Sequence, residues 1–382
     1  MRSEPISVNP KILTWARSRA GLDTVSLARK LSVSSEKLEK WEAGEVAPTF
    51  RQAQKFAHHT SIPLGYLFLD NPPAESFPVA DFRTVGSEYH NRMSPELVDT
   101  VKIILQRQEW YRDYLIDNGS ERLSFVKSVT IDEPVEQVVG VIRKLLDVPK
   151  IPTSGTHDDF YRKLISKIED VGVLVMRGSF VGNSRNKKLN VEEFRGIAVS
   201  DEFAPVIFIN ENDSLGAKIF TLLHEFAHIL LGESGISDIE KDNHRKSEKF
   251  CNAVAAEFLC PEISFKQLWN EKESLEQNLT LLAKNYRVSK WVIARRALDF
   301  KIINNLEYTK FINNSIEQFK EQNKKEGGKI SFYKVQPGRV SKKFTNAVLS
   351  ETLSGRMLLR DASFLIGIRP EKIQVFARKV GF

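Results

Sequence analysis

One run of residues has the types and spacing to do chemistry: His224-Glu225-Phe226-Ala227-His228, a H-E-x-x-H pattern. On a helix the two histidines stand roughly 40° apart around the axis and one turn along it, so both imidazoles can reach one ion. Glu225, beside that face, can take a proton from a water that such an ion polarises. The chemistry is that of a zinc-dependent hydrolase, with Zn2+ as cofactor, His224 and His228 as metal ligands and Glu225 as catalytic base. The flanks Leu222, Leu223, Phe226, Ala227, Ile229, Leu230 and Leu231 predict a helix buried nearly all round. Buried imidazoles beside a buried carboxylate are costly without a partner, and an ion supplies one.

An open catalytic site needs a third protein ligand and a free position for water. Glu248 begins the next expected helix, with Asn252 at i+4, where an amide could orient the carboxylate. Glu248 is the expected third ligand and Asn252 its supporting residue. Glu257 and His244 compete for the same place; their bland alternatives are a helix-surface acid and a solvated loop histidine.

The elements that must hold these groups are mostly helices. Periodicity and turn residues predict helices over 10–19, 25–31, 35–42, 50–60 and 64–69, then a connector rich in Pro72, Pro73 and Pro78. Longer helices are expected over 95–118, 134–146 and 158–169. Short β-branched runs over 171–177, 196–200 and 206–210 predict a small mixed sheet. Apolar helices over 215–231 and 246–259 follow, the second closed by Cys260-Pro261. After a charged linker near Gly327-Gly328, a strand over 330–335 and helices over 342–351 and 360–366 are expected. The fold class is therefore α+β and mostly helical, with a small C-terminal α+β domain.

Composition narrows the classes. With 382 residues, 41% hydrophobic and 27% charged, the chain has material for two or three domain cores and is neither fibrous nor disordered. Its two cysteines, Cys251 and Cys260, fall in or beside one expected helix, which excludes a disulfide framework. No apolar run reaches the ~18 residues of a membrane span, so a soluble cytoplasmic protein is expected. The net charge of +7 is uneven: residues 1–70 carry +3 and residues 301–382 carry +9, leaving −5 between them. A basic tail that includes Lys324, Lys325, Lys329 and Lys334 could meet phosphate or an acidic partner.

Two resemblances follow from these motifs. His224-Glu225-Phe226-Ala227-His228, followed by a helix of the type E-x-x-x-N-x-x-A-x-x-x-L-x-P running from Glu248 through Asn252, Ala255 and Leu259 to Pro261, resembles the metallopeptidase domain of the ImmA/IrrE family over roughly residues 150–300. That resemblance implies a zincin-like domain at 151–305 that cuts a DNA-binding repressor or an antitoxin-like regulator. Trp15, Leu27-Ala28, Leu31, Val33, Leu38, Trp41, Gly44 and Pro48 resemble the helix-turn-helix of the XRE family, which implies a five-helix bundle at 1–70 and a possible homodimer.

In that bundle Ser35, Lys37 and Lys40 are the expected DNA contacts on the third helix, although Glu36, Glu39 and Glu42 on the same helix oppose phosphate. The order of motifs, through Pro63 to Leu69 and the Asp81-Phe82-Arg83-Thr84 run, resembles fused family members that act as antitoxins beside PIN-like ribonuclease toxins. Operator DNA and a toxin are thus the alternative partners. Residues 71–150 are expected to be linker and helical connector, and 325–382 a partner-binding domain. Leu282 to Ser289 with Arg295-Arg296 resembles a second helix-turn-helix pair, for which core packing is the plainer reading.

Overall fold

The computed structural model describes residues 4–60, 62–73, 93–152, 155–182, 184, 186–237, 246–322 and 339–382. Two compact units are present, residues 1–102 and residues 103–382.

In the first unit, side-chain caps set the helix starts. Asn9, Asp23, Ser34 and Thr49 each accept a backbone N–H at the head of α1 (Pro10–Arg19), α2 (Thr24–Leu31), α3 (Ser35–Ala43) and α4 (Phe50–His59). Gln52 completes a reciprocal capping box with Thr49. The fifth expected helix is a 3-10 turn, Leu64–Phe68. Leu13, Leu27, Leu38, Trp41 and Phe56 close around one core, each fully buried large side chain contributing ~1.5–3 kcal/mol. Arg17 donates to both carboxylate oxygens of Glu42, at 2.7 and 2.9 Å, and ties α1 to α3.

The second unit is built on a four-stranded sheet in the order β1-β3-β2-β4. β1 (Leu174–Gly178) runs parallel to β3 (Val206–Asn210), and β2 (Gly196–Val199) is antiparallel to β3 on one side and to β4 (Gly235–Ser237) on the other. Continuous burial along β2 and β3 explains their unbroken apolar runs. The three-residue β4 was not expected, because so short a strand carries no period.

Across this sheet lies α8 (Leu215–Leu231), capped by Ser214 and ended by Gly232 in the left-handed region at φ 77°. It packs against β2, β3 and α9 (Lys246–Leu259). Around them stand α6 (Val135–Leu146), α7 (His157–Asp170), α10 (Glu262–Leu268), α11 (Leu275–Tyr286), α12 (Lys290–Asp299) and α13 (Asn305–Gln322), while α5 (Pro95–Asp117) begins in the first unit and ends in the second. Leu279, Leu282, Tyr286, Ile293 and Ala297 enter the same core as α8, so α11 and α12 serve packing.

The described elements after residue 339 are all helical: α14 (Lys342–Leu353), α15 (Leu359–Ile366) and α16 (Ile373–Val380). The strand expected over 330–335, the Gly327-Gly328 linker, Lys324, Lys325, Lys329 and Lys334, the Asp81 to Thr84 run, Pro78 and His244 lie outside the described residues. The molecule is mostly helical with a small mixed sheet, an α+β arrangement. Among the described residues no helix is long and apolar enough to cross a membrane.

Candidate metal centre

The geometry starts on α8. Its apolar surface seats it on the sheet, and the helical period then turns His224 and His228 toward the face that meets α9. Both are nearly buried, at 5% and 4% exposure, and Glu225 between them is fully buried. Their Nε2 atoms are 3.1 Å apart. From α9, Glu248 brings Oε2 to 3.2 Å from His224 Nε2 and Oε1 to 3.2 Å from His228 Nε2. The candidate ligand atoms of His224, His228 and Glu248 lie within 4.8 Å of one another. Two helices therefore bring two imidazoles and one carboxylate to a common point.

Burial pushes the Glu248 carboxyl up, but hydrogen bonds and charge from the two histidines hold it well below the ordinary carboxylate range. A cation at the same point favours that ionised form for the same reason. Burial raises the Glu225 carboxyl, and the neighbouring imidazoles only partly oppose it. Among the described residues neither Glu225 oxygen makes a well-formed hydrogen bond, the Ser237 hydroxyl offering only a weak one, and Nδ1 of His224 is likewise unmatched. Orphaned buried polar atoms of this kind mark a site built for something other than stability. The donor set, two imidazole nitrogens and one carboxylate, suits a divalent ion such as zinc.

Two contributions were missed from sequence. Gly196 on β2 faces the Glu225 carboxylate so closely that a Cβ there would stand 2.2 Å from Oε1 and 2.6 Å from Thr221 Cγ2. The glycine leaves the space into which Glu225 is seated. A lone glycine at a strand start is the only signal, and it names no partner. Glu233, just past the end of α8, places Oε2 3.5 Å from His228 Nδ1, where it can bias the ring orientation.

Asn252 sits one turn beyond Glu248 on α9. Glu257 is drawn away from the centre: it is buried, accepts the backbone N–H of Glu262 at 3.1 and 3.2 Å, and pairs with Arg296 of α12. It is therefore neither a ligand nor a surface acid. Arg296 also donates to the Cys260 carbonyl at 2.9 Å, which locks the end of α9. The expected DNA contacts lie in the other unit. Lys40 is paired with Glu36 at 2.7 Å, Lys37 lies over the Trp41 ring, and Ser35 opens α3 just after the Ser34 cap.

Residues 168–298 match a family model described as the IrrE N-terminal-like domain, a peptidase family designated M78. Residues 340–379 match one described only as a domain of unknown function, DUF8813. No curated protein matches the chain. The peptidase match covers β1 to α12 and hence His224, Glu225, His228 and Glu248.

Proposed function

We propose that the chain is a zinc-dependent endopeptidase that cleaves a regulatory protein. The observation that carries this reading is the meeting of His224, His228 and Glu248 beside the fully buried carboxyl of Glu225, and the IrrE-type match over the same residues supports it. His224 Nε2, His228 Nε2 and a Glu248 oxygen would hold the ion. A divalent ion held there supplies Lewis acidity, which makes water and a peptide carbonyl more reactive near neutral pH. Glu225 removes a proton from the attacking water through a carboxylate oxygen and delivers it to the departing amine nitrogen. Asn252 steadies the Glu248 turn, and the buried walls of α8 and β2 keep bulk water away from Glu225.

The test combines metal analysis with a census of new protein N-termini in cells making each form. Wild type and Glu225→Gln should both hold near-stoichiometric zinc, His224→Ala should lose it, and only wild type should generate new N-termini. Metal-free wild type, or identical N-termini from the Glu225→Gln form, would remove the proposal.

A second role is carried by residues 1–70. The left-handed Ser32 between α2 and α3, with Ala28 buried at 2% exposure beneath the turn, supports a helix-turn-helix of XRE type. Here Ser35, Lys37 and Lys40 contact operator DNA, and a dimer or a toxin partner fits the same reading. Binding to the gene's own upstream DNA should weaken with salt, and Lys37→Ala with Lys40→Ala should flatten that dependence. An unchanged salt slope in the double variant excludes α3 as the DNA-reading helix.

A further inference from the structure

A groove of about 590 Å³ runs between α5 and the C-terminal helices, with Trp110, Met357, Leu358 and Phe364 among its walls. A second hollow of about 370 Å³ continues it along α5, sharing Trp110 and Met357. Its frame is firmly built. Arg107 donates from Nε to the Leu365 carbonyl at 2.8 Å, and the Trp110 ring meets that of the buried Phe344 nearly at right angles, with centroids 5.5 Å apart. Yet Leu358 and Phe364 stay 64% and 63% exposed, an apolar surface that this part of the chain leaves open.

Charge selects the occupant. Glu109, Asp113 and Asp117 line the groove at spacings of four along α5, and among the described residues none of them has an ion pair. Like charges at i, i+4 destabilise a helix by ~0.2–0.5 kcal/mol per pair. The stripe also runs into the helix C-terminus, where the macrodipole disfavours acids, and no basic residue stands in that last turn. Arg356, the one basic side chain among the described lining residues, is already taken by both oxygens of Glu351, at 2.8 and 2.6 Å. Such a rim repels nucleic acid phosphate and anionic lipid alike.

We infer that this groove docks a basic, amphipathic segment of a partner protein, its bulky apolar side chains seated on Trp110, Leu358 and Phe364 and its lysines or arginines on the Glu109–Asp113–Asp117 stripe. The site shares no residue with the metal centre, and it gives the helices of the uncharacterised C-terminal match a binding role.

The probe is a displayed library of random short peptides selected on the full-length chain. Enriched peptides should combine Lys or Arg with Leu, Phe or Trp, and their affinity should fall about tenfold or more on Glu109→Lys with Asp113→Lys. Phe364→Ser, an exposed position that does not threaten folding, should weaken the same peptides by a comparable factor. Acidic counterparts of those peptides should regain binding to the lysine variant. Enrichment without basic residues, or peptides indifferent to both variants, overturns the inference. So does the absence of any enrichment, the result expected if the chain's own segment fills the groove. Self-association that disappears with Asp113→Lys would assign the groove to a second copy and likewise overturn it.

Discussion

Glu225 on α8 and Glu257 on α9 are both buried glutamates in packed neighbouring helices, and they are treated in opposite ways. Glu257 has every obligation met: an arginine partner, a backbone N–H and a place at the end of its helix. Glu225 is more deeply buried and, among the described residues, has no well-formed hydrogen bond to either oxygen, only the Ser237 hydroxyl and the two imidazoles weakly offsetting its burial. A buried carboxylate held by a full set of partners fixes structure, whereas one without them costs stability. The cost is localised, because α8 is anchored by apolar contact on both sides of Glu225.

Breaking the paired member should have the largest effect. Glu257→Ala leaves the buried Arg296 without its counter-ion, holding only the Cys260 carbonyl and the Phe300 ring face, so unfolding free energy should drop by ~3–5 kcal/mol while metal content is unchanged. In metal-free protein, Glu225→Gln should do the reverse and raise stability, by ~1 kcal/mol, because a neutral amide replaces a carboxyl whose ionisation burial makes costly. Denaturant titration of both variants checks the contrast. Two losses of similar size would mean that Glu225 has a structural partner after all.

A methyl group placed against Glu225 sharpens the same comparison with a smaller effect than the broken pair. Gly196→Ala should cost ~1–3 kcal/mol, since its Cβ overlaps Oε1 and Thr221. Adding Glu225→Ala in the same chain should return part of that loss, because the displaced carboxylate is gone. Strict additivity in thermal or denaturant unfolding would show that Gly196 and Glu225 are not coupled.

Much of this molecule was legible without coordinates. The expected helices over 215–231 and 246–259 coincide with α8 and α9, and the strand over 206–210 with β3, because apolar period and turn residues act over a few neighbours. The tail of the chain was read less completely: its helices over 342–351 and 360–366 were found one or two residues short, while α16 has no counterpart among the expected elements.

Sequence alone determined that His224 and His228 share a helical face, for 3.6 residues per turn makes an i, i+4 pair neighbours wherever the helix goes. Which acid would join them was not fixed in that way. Glu248 and Glu257 stand on the same short helix, and only the packing of α9 on α8 sends one to the imidazoles and the other to Arg296. Gly196 and the groove beside α5 belong to the same class. Their meaning depends on residues far away in the chain, brought close by burial of apolar surface, and spacing along a sequence carries no measure of that distance.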